Sequence, residues 1–357
     1  MAGVRRHSLA LAVAAALAVV ACSTDPSTGT GATTTRPTAG STAGSSSPTA
    51  SGARTALRAG RPAWVRVSVA TLWRSPDSPR PVDAPALAAP ARIGQWLSAM
   101  SLAERRGLNG RADTQSLLGD RVRVVSLRPG WARVTVPDQP TPQDARGYPG
   151  WVPRRQLTGT PPLRRDQQVT VVGRTAWLRS DDAAAAPVLR VSFGTRLPYL
   201  GTEDGLVRVA LPGGGTQRLL EAAVVVHPTG TPALAPTRRG LVRTARLFVG
   251  LDYLWAGRSG FGFDCSGLTS LDYRVHGLVL PRDAAPQSTA GRPVAGGLRR
   301  GDLLFYAADG VVHHVSMYAG DGLMVHSPGT GQAVEVIPVA TPAYQRELAG
   351  ARRYLRD

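Results

Sequence analysis

Gly119 and the segment Gly130-Trp131-Ala132-Arg133-Val134 recur seventy-five residues later as Gly194 and Gly205-Leu206-Val207-Arg208-Val209, with the same internal spacing of eleven. Upstream, Thr71-Leu72-Trp73-Arg74-Ser75 is echoed by Thr175-Ala176-Trp177-Leu178-Arg179-Ser180. A duplicated stretch has to fold the same way twice, so the middle of the chain holds two copies of one small domain. Alternating runs such as Arg121-Val122-Arg123-Val124, bounded by Gly and Pro, predict short strands. Two β-barrels in tandem, over 61–160 and 161–228, are the economical architecture. The first copy carries an insertion from about Val82 to Gly110, whose Ile93, Trp96, Leu97 and Met100 fall at helical spacing. The second copy ends in Leu219 to Val226, and Pro228 to Pro236 reads as a linker.

The amino-terminal segment is of another kind. Arg5 and Arg6 precede an apolar run from Leu9 to Ala21, too short to span a membrane and built like an export signal over 1–21. Val19-Val20-Ala21-Cys22 resembles the lipobox of bacterial lipoproteins. That resemblance implies acylation at Cys22 and a chain held by lipid on the outer face of the cytoplasmic membrane. An ordinary signal cut nearby is the other reading. Residues 22–60 are mostly Ser, Thr, Ala, Gly and Pro and offer too little apolar surface to offset ordering entropy, so they predict a flexible tether.

The formal net charge is +18. Two of those charges leave with the signal, and since the chain has no lysine the remaining +16 rests on arginine alone. Such a chain is expected to adhere to anionic wall polymers or lipid headgroups. The arginines are spread along the chain and not clustered with aromatics on one element, which argues against nucleic acid.

With Cys22 assigned to the lipid, Cys265 is the one cysteine left for chemistry. From Arg238 the pattern turns helical, with Leu241, Ala245 and Phe248 on one stripe. Cys265 opens a second helix on which Leu268, Leu271 and Val275 recur at three- and four-residue steps before Gly277, a C-cap residue. Free N–H groups and the helix dipole at that position are expected to lower the thiol pKa. Downstream, Asp302 to Tyr306, His313 to Tyr318, Leu323 to Ser327 and Val334 to Val339 predict four antiparallel strands. His314 and Ser316 share a face opposite Val315 and Met317. An odd-length loop at Gly320-Asp321-Gly322 points His314 and His326 the same way, whereas an even loop separates them. His314 is then the general base for Cys265, and His326 orients it. His227 and His276 are read as structural, and His313 as a packing or surface residue.

Tyr253-x-Trp255, Asp264-Cys265-Ser266-Gly267, Leu280-Pro281-Arg282 with Gln287, Gly301-Asp302-Leu303, His314-Val315 and His326 occur in the order and spacing of the NlpC family of papain-like cell-wall peptidases. Residues 238–357 resemble that family. The upstream barrels, with Gly147-Tyr148-Pro149-Gly150-Trp151-Val152-Pro153, resemble bacterial SH3-like domains, and nearly the whole mature chain resembles the γ-D-glutamyl-L-diamino-acid endopeptidases. The implied fold is α+β, a papain-like peptidase domain preceded by two SH3-like barrels. The resemblance implies a triad of Cys265, His314 and His326, with Tyr253 at the oxyanion site. It also implies that a free N-terminal L-alanine amine is held by Asp264 and Ser266, with an acid and a tyrosine from the first barrel, for which Asp120 and Tyr148 are the candidates. Asp264 is equally suited to capping the helix. Ala256 and Ser316 stand where the family commonly has glycine.

No cofactor is implied, and no His, Cys and carboxylate cluster has metal-ligand spacing. Gly260-Phe261-Gly262 lacks the register of a phosphate loop. Arg258 and Arg282 are candidates for clamping a substrate carboxylate or for structural roles. The expected activity is exported, lipid-anchored hydrolysis of the γ-D-glutamyl-diamino acid bond in peptidoglycan stem peptides or muropeptides. The alternatives are a non-catalytic wall-binding lipoprotein and a muramoyl-alanine amidase or lipid acyl transferase on the same scaffold.

Overall fold

The computed structural model describes residues 55–181 and 186–356. The expected signal, Cys22 and most of the expected tether lie outside the described residues. Seven strands form the first sheet: β1 (Pro62–Val65), β2 (Val69–Trp73), β3 (Ala112–Leu117), β4 (Arg121–Arg128), β5 (Trp131–Val136), β6 (Tyr148–Pro153) and β7 (Leu157–Thr158). Seven more form the second: β8 (Gln167–Val171), β9 (Thr175–Arg179), β10 (Pro187–Ser192), β11 (Arg196–Glu203), β12 (Leu206–Ala210), β13 (Thr216–Leu220) and β14 (Val224–Pro228). Their spatial orders are β3-β2-β6-β5-β4-β1-β7 and β10-β9-β13-β12-β11-β8-β14, one list being the other advanced by seven. The sequence repeat is thus a repeat of topology. Its recurring glycines sit where left-handed backbone is needed, Gly119 and Gly194 at φ +85° and +77°, and Gly130 and Gly205 at +73° and +70°.

The insertion in the first copy folds as α1 (Ala84–Leu87), α2 (Ile93–Ala99) and α3 (Leu102–Arg106). Ile93, Trp96, Leu97 and Met100 are all buried. Trp96 donates from Nε1 to Asp83 at 2.8 Å, so its polar edge is satisfied inside the core.

The carboxy-terminal domain begins with α4 (Arg238–Arg246), capped by Thr237. A short hairpin, β15 (Arg258–Ser259) and β16 (Gly262–Phe263), leads into α5 (Cys265–Val275). Asp264 caps α5 by accepting from the Gly267 N–H at 2.6 Å. Gly277, at φ +82°, ends it. After α6 (Ala284–Thr289) come β17 (Arg292–Pro293), β18 (Leu303–Ala308), β19 (Val311–Gly320), β20 (Leu323–His326), β21 (Glu335–Pro338), α7 (Pro342–Glu347) and β22 (Leu348–Arg353). The sheet order is β17-β22-β18-β19-β20-β21. Its Val315, Met317 and Phe305 share a core with Leu241, Phe248, Leu268 and Leu271 from the helices.

Both barrels brace this domain. Phe193 of the second packs edge-on against Phe248, which packs in turn against Phe263. The first barrel reaches the Cys265 approach directly. Trp255 Nε1 donates to the Ala112 carbonyl at 2.9 Å, and Gln115 Oε1 accepts from the Arg258 N–H and the Ser259 hydroxyl. The second barrel approaches the Gly260 turn just as closely, because a Cβ on Gly260 would lie 1.8 Å from the Arg174 carbonyl.

Candidate active site

The Asp264-Cys265-Ser266-Gly267 turn is built around close approach. A Cβ at Gly267 would meet the Gly257 carbonyl at 2.0 Å, so only glycine lets the helix start lie this near the strand before it. Ala256, next to it, holds φ +63°. An L-residue in that region costs about 1 kcal/mol, which accounts physically for the family's glycine there.

Cys265 occupies the first position of α5 and is 8% exposed. Beyond the last rung of the β19–β20 ladder at Met317–Val325, the Val315 N–H faces the sulfur. His314, the candidate base, is the residue before Val315 on β19. Its Nε2 is 2.9 Å from His326 Nδ1, and His326 Nε2 is 3.2 Å from Glu335 Oε1. Glu335 lies directly opposite His326 on β21.

The two histidines meet by a route different from the expected odd loop. The turn is the two residues Asp321 and Gly322, at φ +55° and +72°, as a type I′ hairpin requires. A register shift between Tyr318 and Gly320 adds the missing residue on β19. That bulge puts His314 and His326 on one face.

The chain from Glu335 through His326 to His314 fixes the protons. A carboxylate only accepts, so His326 carries its proton on Nε2 and presents a bare Nδ1. His314 must then donate from Nε2, which leaves its Nδ1 lone pair free to take the thiol proton. Tyr344 of α7 covers both rings, with centroids 5.7 Å from His314 and 4.8 Å from His326. Burial pushes the His314 pKa down to about 3, with the His326 charge adding to it, and burial takes His326 to about 4. Burial also pushes the Cys265 thiol up to about 12, the Asp264 carboxylate adding to it and the Val315 N–H opposing it. The expected lowering of the thiol pKa by the helix start is therefore overturned: desolvation and the capping carboxylate outweigh the dipole. Both shifts favour the neutral thiol and the neutral imidazole over their charged forms.

Replacing Glu335 by glutamine lets an amide N–H point at His326 Nε2 and reverse this proton order. We expect kcat to fall about tenfold, tempered by the partial exposure of Glu335, with KM little changed. The carboxylate stabilises the protonated pair, so its loss should also move the acid limb of the pH–rate profile to lower pH. An unmoved profile with full kcat would exclude this proton order.

Tyr253 is buried beside Cys265; burial raises its hydroxyl pKa, with Cys265 and then Asp264 adding to it, so it stays a proton donor. The helix leaves the first-turn N–H groups of Cys265 and Ser266 outside its own bonding, with the Ser266 N–H directed at the Cys265 sulfur. These are the groups placed to meet an oxyanion.

Asp264 and Ser266 are locked to Arg282. The guanidinium grips Asp264 with Nη1–Oδ1 at 3.0 Å and Nη2–Oδ2 at 2.6 Å, and Nη1 also reaches Ser266 Oγ at 3.0 Å. Its Nε donates to Thr114 of the first barrel at 2.7 Å. Arg282 is thus structural and unavailable to clamp a substrate carboxylate. Arg258, 1% exposed and bonded through Nε to Ser270, is equally removed from solvent.

Of the two barrel candidates, one is at the site. Tyr148 Oη lies 3.4 Å from Asp283 Oδ1, and Asp283 lies 4.0 Å from Arg282. Asp120 is elsewhere. It accepts from the Leu117 N–H and pairs with Arg274, nine residues and roughly 13 Å along α5 from Cys265. That distance removes Asp120 from any substrate amine seated beside Cys265. The carboxyl that meets Tyr148 is Asp283, of the peptidase domain and not of the barrel; burial holds it above the usual range, against the Arg282 charge. Its signal was its place immediately after Leu280-Pro281-Arg282.

Among the described residues the other histidines have partners. His227 bonds Thr170 at 2.8 Å, His276 bonds the Ala235 carbonyl at 2.7 Å, and His313 meets Glu347 at the surface. Among the described residues no cluster suited to a metal is present, and no helix is long and apolar enough to cross a membrane.

The chain is similar to known proteins over most of its length. The NlpC/P60 family model matches residues 250–353, and that of the YKFC SH3b2 domain matches residues 171–227. The chain is 43% identical over 302 residues to a gamma-D-glutamyl-L-lysine dipeptidyl-peptidase of Bacillus cereus, covering 82% of this chain and 91% of that one. It belongs to the NlpC/P60 family. The fold is accordingly an α+β cysteine peptidase domain preceded by SH3-like barrels. A second gamma-D-glutamyl-L-lysine dipeptidyl-peptidase, from Bacillus subtilis, is 38% identical and matches over 80% of this chain and 96% of its own. The crystal structure of an NlpC/P60 family protein from Bacillus cereus superposes with a TM-score of 0.79 at 42% identity, over 83% of this chain and all of that one.

Proposed function

We propose that this cysteine peptidase hydrolyses the amide between the γ-carboxyl of D-glutamate and the diamino acid of peptidoglycan stem peptides whose L-alanine amine is free. One observation carries the reading. Tyr148 of the first barrel, Asp283 and the Asp264–Arg282 pair form an acidic, hydroxyl-bearing wall one residue from Cys265. A cationic terminus seated there leaves a fixed, short reach to the sulfur, which suits removal of a dipeptide, as the relatives' name describes.

In this reading the Cys265 sulfur attacks the γ-glutamyl carbonyl while His314 takes the thiol proton, and Tyr253 with the first-turn N–H groups meets the oxyanion. His314 returns the proton to the leaving amine, and water then releases the acyl group. The signal-like residues 1–21, Cys22 and the composition of the tether support export and lipid anchoring, so that the peptidase works at the cell envelope.

The test compares L-Ala-γ-D-Glu-diaminopimelate, its lysine counterpart, the N-acetylated tripeptide and intact muropeptide by mass spectrometry. Acetylation replaces the ammonium by a neutral amide and leaves buried acidic groups without their partner, so kcat/KM should fall at least a hundredfold. Undiminished cleavage of the blocked peptide would point instead to the amidase or acyl transferase reading.

A further inference from the structure

A second cleft, of about 830 Å³, opens where both barrels meet the carboxy-terminal half of α5. Its charge is lopsided: Arg121, Arg164, Arg165, Arg196 and Arg274 line it against Asp120, Asp138 and Asp166. Two of those acids are already engaged inside the cleft. Asp120 pairs with Arg274, while Asp138 bridges Arg196 at 2.7 Å and Arg274 at 3.3 Å. Arg274 is 4% exposed, and its Nε and Nη1 have no hydrogen-bond partner among the described residues. The charge of Arg274, then burial, brings the Arg196 pKa down to about 10, the mark of two cations held together with too little counter-charge. At the rim, Arg121, Arg164 and Arg165 are exposed.

We propose that this cleft binds an anionic polymer, its phosphate or carboxylate groups bridging Arg196 to the rim arginines Arg121, Arg164 and Arg165. A guanidinium forks onto either kind of oxyanion. A cleft with walls from three domains focuses the field of its charges beyond what a flat basic surface achieves. The site is separate from Cys265 and does not depend on the peptidase assignment. Its occupant would sit at the far end of the helix that carries the nucleophile, holding the enzyme on a polyanion while leaving the sulfur open to peptide.

Binding of the full chain to sodium polyphosphate, to poly-L-glutamate and to inorganic phosphate, measured by calorimetry at two salt concentrations, tests this. The exposed pair Arg164→Ala with Arg165→Ala should weaken both polymers about fivefold or more and reduce the salt dependence, while leaving hydrolysis of the free tripeptide unchanged. The control pair Arg154→Ala with Arg239→Ala, exposed arginines outside the cleft, should change binding less than twofold. Equal losses in the two pairs would reduce the effect to overall charge and overturn the site. Binding of inorganic phosphate with no binding of either polymer would overturn the polymer assignment.

Discussion

Cys265→Ala is expected to lower hydrolysis of the free tripeptide by at least about 10⁴-fold, with the thermal midpoint within a few degrees of the parent. The argument is chemical first. Cys265 is the only thiol among the described residues, and an imidazole without it is left to activate water, a far weaker nucleophile. The structural cost is small. The side chain removed is one sulfur at 8% exposure, at a helix start whose cap is Asp264 and whose packing rests on Leu268 and Leu271. Such a truncation costs about 1 kcal/mol, worth roughly 2 to 4 °C. Cys265→Ser separates the two effects, since it keeps a hydrogen-bonding atom in place yet offers a far weaker nucleophile. Near-parental turnover in Cys265→Ala, with the protein folded, would remove Cys265 from the chemistry and favour the wall-binding alternative.

The sequence made some of this legible because its signals were local or duplicated. The eleven-residue glycine spacing reported two turns per barrel, one joining β3 to β4 or β10 to β11 and the other the hairpin of β4 and β5 or β11 and β12, and both copies hold them at positive φ. The Leu268, Leu271 and Val275 stripe reported the helix that carries Cys265. Other features depended on events that periodicity does not encode. The bulge before Gly320 changes the parity of the hairpin and so decides which face His326 takes. Asp120 and Asp283 are both plain aspartates in sequence; only the docking of barrel on peptidase reveals that one faces Arg274 and the other Tyr148. Glu335 and Tyr344 reach the histidines from β21 and α7, on strands and helices whose neighbours are set by sheet order. The thiol's raised pKa was hidden for the same reason, since burial by the first barrel and the sheet is a tertiary property.

Arg282 ties these domains into one site, and its replacement should show it. Four donors leave this side chain: two to the Asp264 carboxylate, one to Ser266 and one to Thr114 of the first barrel. Arg282→Met keeps much of the volume and removes every donor. Asp264 is then a buried carboxylate held only by the Gly267 N–H and the Ser266 hydroxyl. Breaking one side of such a pair typically costs about 3 to 5 kcal/mol, so the thermal midpoint should fall by roughly 6 to 15 °C. Arg282→Lys should recover little, because a single ammonium cannot fork onto both carboxylate oxygens and still reach Thr114. The second consequence is catalytic. With the guanidinium gone, the full charge of Asp264 bears on the neighbouring sulfur and pushes the thiol further from ionising, so kcat should fall even at temperatures where the variant is folded. Asp264→Asn combined with Arg282→Met decides between an electrostatic and a packing origin. Asparagine still caps α5 but carries no charge. If the loss is electrostatic, the double variant is more stable than Arg282→Met alone; if it is no more stable, the arginine acts through packing and the Asp264 charge is not what it holds.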